Sequence, residues 1–319
     1  MTPSELRAAL GLSRRKFAAR SLEEQKAALK EIYAVRAEAD RNGAEAIPDK
    51  DSEVNTVGWR YLILPHQWTG YSRPEFIWQP VSQIQKFNVV PLLVGSLKVT
   101  LVAVLFALPL ALGAALYVSQ FASRRLRAWI KPAIEMLAGV PSVVLGFFAL
   151  FVLAAALESV FAFQSRLNAF VAGIALGVAI IPVIFALAEE ALSAVPRGYV
   201  EGALAVGASR WQAAWGVALP AAWPGVFAAV VLGFGRALGE TMIVLMASGN
   251  AAILSWSLFD SSRTVTATIA AELGEVVFGG HHYRVLFLLG TLVLAVSFVA
   301  NLVADGVMNR LRRRLASSS

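Results

Sequence analysis

The sequence contains no cysteine, and charged residues make up only 15% of its 319 positions. Without cysteine the chain has neither disulfides nor thiol chemistry, although this does not identify a compartment. The phosphate loop Gly-x4-Gly-Lys-Ser/Thr of nucleotide-hydrolysing proteins is also absent. Apolar residues are abundant instead: 57% of the chain is hydrophobic and the mean hydropathy is +0.64. This composition is typical of an integral membrane protein and excludes an ordinary soluble domain.

The charges are concentrated at the beginning of the chain. Residues 1–90 contain 13 of the 28 Lys and Arg residues and 11 of the 21 Asp and Glu residues. We therefore predict a soluble N-terminal segment over residues 1–89 and a membrane domain over residues 90–319. Within the first segment, Ser21-Leu-Glu-Glu24 is typical of a capping box and predicts one helix over about residues 22–42, with the remainder extended or loop. The net charge of +7 lies beside apolar runs, which argues against nucleic-acid binding.

Five apolar stretches are long enough to cross a bilayer, which takes about 20 residues. They are Val90–Ala122, Ile134–Ala156, Ala169–Leu187, Trp223–Ala247 and Val285–Val303. Neighbouring helices can satisfy the backbone groups freed by the prolines inside these stretches, which are Pro109, Pro141 and Pro182. Pairs of small residues predict close contacts between helices, and these are Gly173 with Gly177 and Gly235 with Gly239. The predicted fold class is therefore all-α, a polytopic helical membrane protein.

Basic residues predict the orientation of the spans. The positive-inside rule assigns one group to the cytoplasm: Arg124, Arg125, Arg127, Lys131, Arg197, Arg210, Arg310, Arg312, Arg313 and Arg314. The basic residues at or near the outer face are Lys98, Arg166, Arg263 and Arg284. The loop after the third span and the C-terminus are then cytoplasmic, and residues 1–89 lie outside. Because no apolar signal run precedes them, we expect that a membrane helix upstream of this chain is missing from it.

A polar segment broken by glycine, residues 199–220, separates the third and fourth spans. Two short helices on either side of Gly207 would lie along the membrane surface, with Pro220 setting the entry into the fourth span. Spacing alone leaves two interpretations open. The segment is either an ordinary cytoplasmic turn or a surface that a partner protein grips.

Arg236 and Glu240 lie inside the fourth apolar stretch, where a charged side chain costs about 2.5–3.5 kcal/mol at mid-helix on insertion scales. Four residues apart on one helix, they share a face and can pair. Charge alone leaves open a structural ion pair and an anion path. In such a path Arg236 would meet an oxyanion, and Glu240 would hold or release that arginine.

Several motifs resemble ABC-importer permeases. Glu201, Ala203, Gly207, Leu219 and Pro220 resemble the coupling element Glu-Ala-Ala-x3-Gly-x9-Ile-x-Leu-Pro of that family, with a glycine and a valine as departures. Residues 235–250, 131–146 and 91–100 resemble the phosphate-specific members, especially the C-type permease of Pst systems, and residues 71–79 and 256–284 resemble its long form. The resemblance covers about residues 71–319. It implies an ABC-importer permease fold in the inner membrane, with a short cytoplasmic coupling helix within residues 190–220. The typical permease of this family has six spans, whereas hydropathy gives this chain about five transmembrane helices.

The resemblance also implies the roles of individual residues. The five residues of the coupling element would contact a cytoplasmic ATPase, and Arg236, Glu240, Thr241 and Ser142 would line the path of inorganic phosphate. The chain itself would hold no catalytic residue, metal or cofactor, since ATP and Mg²⁺ would bind to the ATPase dimer.

A homologous second permease and a periplasmic phosphate-binding protein would complete the importer, which would work by alternating access. The binding protein would contact loops near residues 79–85 and 256–284. Two rival interpretations stay open: a permease of the same fold for sulfate or molybdate, and a membrane scaffold or receptor that transports nothing.

Other polar residues carry separate expectations. Glu135 is expected to pair with Lys131, four residues before it. Lys98 is expected either to lie at the membrane interface or to attract anions at the outer mouth. His281 and His282 are expected to be solvated at the surface, because no third ligand at metal spacing accompanies them.

Overall fold

The structure is a computed structural model that describes residues 54–68, 71–82 and 84–316. The chain divides into two compact units, Met1–Val54 and Asn55–Ser319, and nearly all of the described residues belong to the second. The helix expected over residues 22–42 lies outside the described residues. The described part of the second unit consists mainly of helices.

A small non-membrane layer precedes the long helices. It contains the five-residue helix α1, Trp59–Ile63, and an antiparallel hairpin of β1, Trp78–Gln79, and β2, Lys86–Phe87. The apolar side chains of this layer share one buried cluster with residues of the membrane helices: Leu62, Trp78, Phe87, Val89, Leu92, Val265, Val285, Leu286 and Leu289. The described residues between 55 and 89 therefore pack against one end of the helical bundle, which we call the hairpin end.

The remaining elements are helical. They are α2 Val90–Gln120, α3 Arg124–Leu137, α4 Ser142–Phe148, α5 Ala154–Phe161, α6 Ala169–Ser193, α7 Arg197–Ala205, α8 Arg210–Ala213, α9 Leu219–Gly239, α10 Met242–Ala247, α11 Val265–Glu272 and α12 His281–Ala316. π-helical turns over Ala149–Leu153 and Ala214–Ala218 make α4–α5 and α8–α9 continuous. Within the described residues, five helices are long and apolar enough to cross a membrane: Val90–Gln120, Ser142–Phe161, Ala169–Ser193, Arg210–Gly239 and His281–Val307.

The predicted number of spans is thus confirmed, but two predicted boundaries are wrong. The stretch Ile134–Ala156 is not one helix, because the chain turns at residues 138–141 between α3 and α4. Pro141 consequently lies outside the span, as the residue that precedes α4. The stretch Trp223–Ala247 is also divided, since α9 ends at Gly239 and α10 begins at Met242.

The helix that carries Pro220 begins earlier than predicted. It runs from Arg210 to Gly239, so Pro220 does not set its entry. Proline has no N–H to donate to the carbonyl four residues before it, and a π-helical turn accommodates such a gap. The turn over Ala214–Ala218 lies immediately before Leu219 and Pro220.

The centre of the bundle is the packing of α2 against α6, the most extensive contact between described helices. Four alanines at intervals of four residues along α2 are fully buried: Ala103, Ala107, Ala111 and Ala115. Gly173 and Gly177 of α6 approach α2 closely, since an added Cβ at Gly173 would lie 3.1 Å from the Val99 carbonyl oxygen and one at Gly177 would lie 3.0 Å from the Ala103 carbonyl oxygen. Small residues permit this approach of two backbones, which confirms the predicted role of this glycine pair.

Gly235 and Gly239 do not pack in the same way. An added Cβ at Gly235 would have its nearest neighbour at 3.6 Å, and at Gly239 no described atom lies within 4 Å. Within the described part of the chain, the buried Gly235 thus contacts Ala300 of α12 at ordinary packing distance, and the predicted helix contact is wrong only for Gly239. The reason is that α9 ends at Gly239, so this glycine lies at a helix terminus rather than on a packed face.

Candidate functional site

The break between α9 and α10 contains the charged residues that the sequence places on one continuous helix. Glu240 has extended backbone angles, φ −69° and ψ 139°. Its Oε1 accepts hydrogen bonds from the backbone N–H groups of Thr241 and Met242, both at 3.1 Å. The carboxylate therefore caps the beginning of α10, where free N–H groups and the helix dipole favour a negative charge.

The expectation that Arg236 and Glu240 pair on one helix is wrong, because the helix ends at Gly239 and Glu240 is extended. Among the described residues, no ion pair joins these two side chains, and none accepts a hydrogen bond from the Arg236 guanidinium. Arg236 lies in the last turn of α9, and its side chain is exposed in the single chain. The structure thus leaves a membrane-embedded cation without a counter-ion from its own described chain.

Contacts from two neighbouring helices and one from within the break fix the backbone here. The hydroxyl of Thr266 in α11 donates a 2.7 Å hydrogen bond to the Glu240 carbonyl oxygen, and Thr241 donates to the Gly239 carbonyl oxygen at 3.4 Å. Helix α4 packs on α10 at Gly146, where an added Cβ would lie 3.2 Å from the Met242 carbonyl oxygen. Ser142 is the half-buried first residue of α4. The structure therefore brings the helix of Ser142 against the helix that follows Glu240 and Thr241.

At the hairpin end, Glu272 is the centre of a polar cluster. Its two carboxylate oxygens contact the Trp78 indole N–H at 3.1 Å, Arg263 at 2.5 Å and the His282 Nε2 at 2.8 Å. The side chains of Glu272, Arg263 and His282 are only 13–17% exposed. The expectation of a solvated His282 is wrong, because the aromatic side chains of Trp78 and Phe87 also pack around its ring. His281, in contrast, is exposed.

Lys98 lies on α2 near the same end and is only 6% exposed. Its ammonium group donates a 2.9 Å hydrogen bond to the Ser257 carbonyl oxygen. The lysine therefore holds the loop between α10 and α11 and is not an open interfacial charge. The same loop is bound to the start of α6, since the N–H groups of Ala169 and Phe170 donate to carbonyl oxygens of Asp260 and Leu258.

The segment predicted to contact a partner protein has the predicted turn at Gly207, but only the helix before the turn is a separate short helix, because the helix after it continues into the fourth span. It consists of α7, a turn at Gly207 and α8, and we call residues 197–213 the coupling segment. Gly207 has a backbone φ of +92°, which residues with a Cβ rarely adopt. Ser209 and Gln212 then form a capping box at the start of α8. Gly207 thus permits the turn after α7, and Ser209 caps the helix that begins at Arg210.

The coupling segment presents much of its surface to solvent. None of the residues of α7 is buried, and Val206, beside the turn, is 86% exposed. Glu201 and Gly207 are exposed and Ala203 is half-buried, whereas Leu219 is only 8% exposed and belongs to the core. Leu219 therefore anchors the helix that follows the segment. Pro220 is exposed on that helix.

A second polar cluster lies beside the coupling segment, and sequence reasoning did not anticipate it. Glu189 of α6 is 1% exposed. Its carboxylate forms a direct ion pair with Arg127 and a second ion pair with Lys131 at 3.0 Å. The Ser193 hydroxyl donates to the same carboxylate at 2.8 Å. The expectation that Lys131 pairs with Glu135 is therefore wrong. The buried positions Phe185, Ala188 and Leu192 on α6 are a signal that places Glu189 on the packed face.

The family model of binding-protein-dependent transport system inner membrane components matches residues 107–317, more than half of the chain. The chain belongs to this family. Among named proteins, the chain is similar to the probable ABC transporter permease protein YqgH of Bacillus subtilis, which is 36% identical over 235 residues, covering 72% of this chain and 76% of that protein. The phosphate transport system permease protein PstC of Xylella fastidiosa is 34% identical over 257 residues, covering 74% of this chain and 78% of that protein.

A solved structure has the same fold as this permease. An inward-facing crystal structure of the MetNI methionine ABC transporter aligns with a TM-score of 0.50 and 21% identity, over 69% of this chain and 97% of that chain. The predicted ABC-importer permease fold is thereby confirmed. The permease is a multi-pass protein of the inner membrane, with its family match covering the helices from the middle of α2 to α12.

Proposed function

We propose that this permease carries inorganic phosphate inward as part of an ATP-driven importer. The observation that carries the proposal is Arg236, an exposed cation in a membrane helix that no described residue of the chain neutralises. Intramembrane charges are costly and commonly mark transport routes. Guanidinium groups bind phosphate through several parallel hydrogen bonds. An arginine without its own counter-ion is therefore suited to meet a phosphate in transit.

The relatives support phosphate as the cargo. Proteins named phosphate transport system permease PstC, from Xylella fastidiosa and Mesorhizobium japonicum, are 34% and 33% identical to this chain over 257 and 256 residues. The motif around Arg236, residues 235–250, strongly resembles phosphate-specific permeases. In the proposed path Glu240 keeps α10 in place, while Thr241 and Ser142 supply hydroxyl groups nearby.

The importer we propose contains four kinds of subunit. This permease pairs with a homologous second permease, and two copies of an ATPase bind ATP and Mg²⁺ on the cytoplasmic side. A periplasmic phosphate-binding protein delivers the cargo at the hairpin end, near residues 79–85 and 256–284. The permease itself carries out no hydrolysis, and its coupling segment and C-terminus face the cytoplasm. Alternating access is driven by the ATPase through the contact around Glu201, Ala203 and Gly207.

Uptake into proteoliposomes tests this proposal. The reconstituted four-component complex is supplied with labelled phosphate, sulfate or molybdate, and the wild type is expected to accumulate phosphate selectively. Arg236→Ala is expected to reduce phosphate uptake by about two orders of magnitude, in line with loss of a charged group that contacts an anion. Arg166→Ala is the matched control, because Arg166 is an exposed arginine paired with Glu158 at 3.6 Å and lies outside the spans.

Each rival function predicts a different result. Selective uptake of sulfate or molybdate would identify another oxyanion as the cargo. Failure of any ATPase to co-purify with the permease would favour a scaffold or receptor. If Arg236→Ala takes up phosphate at the same rate as the wild type, Arg236 does not line the path.

A further inference from the structure

Glu189 is the most completely buried carboxylate in the described part of the chain, and it joins two separate helices. Its side chain lies on α6, four residues before the end of that helix, and is 1% exposed. Both cations that pair with it, Arg127 and Lys131, come from α3. Ser193 completes the cluster, since it donates to the carboxylate and accepts a 2.7 Å hydrogen bond from Arg127.

The three charges are not equivalent. Arg127 and Lys131 are 39% and 40% exposed, so either cation can turn toward water if its partner is lost. Glu189 has no such alternative, because an uncompensated charge in a dry interior is strongly unfavourable. The carboxylate therefore holds α3 in place more firmly than surface ion pairs do.

The contacts of α3 give this attachment its importance. None of the residues of α3 is buried, and only Ile130 and Ile134 are partly buried against the central core. With so little apolar burial, the position of α3 depends strongly on its two ion pairs to Glu189. Through the turn at residues 138–141, α3 leads directly to Ser142 and α4.

The other side of the cluster faces the coupling segment. Arg127 and Ser193 line a cavity of about 310 Å³ together with Arg197 and Glu201 of α7. At the same end, Arg210 of α8 donates a 3.0 Å hydrogen bond to the Gln120 carbonyl oxygen at the end of α2. Glu189 thus lies between the segment proposed to contact the ATPase and the helix pair α3–α4 that leads to the proposed path.

We propose that Glu189 is a positioning residue that transmits movement of the coupling segment to α3 and α4, and so links ATP hydrolysis to opening of the path. This inference rests on the proposed importer function. The carboxylate contacts neither the cargo nor the ATPase. Its role is to make the end of α6 and helix α3 move as one body.

The test compares Glu189→Gln with wild type in the reconstituted complex and measures the number of phosphate ions taken up per ATP hydrolysed. Glutamine keeps the shape of the side chain but removes the charge that holds both cations. We expect the ratio to fall by about tenfold, within the range of coupling between distant sites. Glu158→Gln is the matched control, because it removes an exposed ion pair with Arg166 and should leave the ratio unchanged.

The distance between two spin labels tests the role of Glu189 without any measurement of cargo uptake. Since the chain has no cysteine, spin labels can be placed at Trp129→Cys on α3 and Leu105→Cys on α2, which are 79% and 71% exposed. The distance distribution between the labels should be narrow with an intact Glu189 and broader in Glu189→Gln, with and without ATP. If Glu189→Gln does not assemble, Arg127→Gln replaces it, with a smaller expected fall in the ratio because Lys131 still pairs with Glu189.

An unchanged ratio together with an unchanged distance distribution would overturn the inference. A wild-type complex that carries sulfate instead of phosphate would overturn the proposed cargo only. In that case the ratio is measured with sulfate, and the comparison between Glu189→Gln and Glu158→Gln still decides the role of Glu189.

Discussion

The packing of α2 on α6 predicts that Gly173→Ala weakens the bundle. An added Cβ at residue 173 would lie 2.5 Å from the Val102 Cβ and 3.1 Å from the Val99 carbonyl oxygen. The α2 backbone fixes the positions of both atoms, so no change of rotamer can relieve the contact. The two helices must instead move apart along their largest interface.

The expected magnitude follows from two opposing effects. Overpacking a well-packed site costs about 1–3 kcal/mol, and alanine is more favourable than glycine in a helix by about 1 kcal/mol. Because backbone-fixed atoms cannot yield, the cost lies in the upper part of its range. We therefore expect Gly173→Ala to lower the free energy of unfolding by about 1–2 kcal/mol.

Gly113→Ala on α2 is the matched control, since no described atom lies within 4 Å of its added Cβ. This variant should gain up to about 1 kcal/mol from helix propensity alone. Both variants are unfolded in mixed micelles with increasing SDS, and helix content is followed by circular dichroism. The double variant Val102→Gly with Gly173→Ala removes the opposing Cβ and should be more stable than the two separate losses predict. If Gly173→Ala unfolds at the same SDS fraction as Gly113→Ala, or at a higher one, the proposed contact between α2 and α6 is incorrect.

Two further predictions concern the ends of the bundle. Glu272→Ala leaves Trp78, Arg263 and His282 without their shared acceptor, and we expect it to lower stability in thermal denaturation by about 2–4 kcal/mol. The control is Glu275→Ala at an exposed position, which should change stability by less than about 0.5 kcal/mol. Equal effects of the two substitutions would show that the Glu272 cluster contributes nothing to stability. Gly207→Val forces a β-branched residue into φ +92°, which costs at least about 1–2 kcal/mol, and should reduce co-purification of the ATPase. Gly202→Ala, a substitution in open space on α7, should leave that assembly intact, and loss of the ATPase in both variants would contradict a specific role for the turn.

Hydropathy alone predicts the membrane helices well, because apolar length is a property of the sequence. It predicts α2 to within two residues at its end, Val90–Ala122 against Val90–Gln120. The turns inside apolar stretches are harder to predict. Residues 138–141 divide one stretch and Glu240 divides another, since the proline before α4 and the carboxylate that caps α10 start new helices without any change in hydropathy.

The contacts between polar side chains could be predicted only where they are local. Periodicity pairs Lys131 with Glu135 and Arg236 with Glu240, because both intervals match one turn of helix. The structure instead pairs Lys131 with Glu189, 58 positions away along the chain. Such a partner depends on how α3 and α6 pack, which no local pattern contains. The turn at Gly207, in contrast, was predictable because its cause is a single residue without a Cβ.

The charged residues of the membrane helices differ in their contacts, and this difference supports the proposed transport role of Arg236. Glu189 is neutralised by two cations of its own chain, and Lys98 is held by a backbone carbonyl. Glu240 uses its carboxylate to cap α10. Arg236 has no partner among the described residues, although an arginine in a membrane is at least as costly as the others. Because no contact within the described part of the chain offsets the free-energy cost of placing this charge in the membrane, we infer that its partner is present only during assembly or transport. On this argument, the loss of Glu240 would act first on the position of α10, whereas the loss of Arg236 would act directly on the passage of an anion.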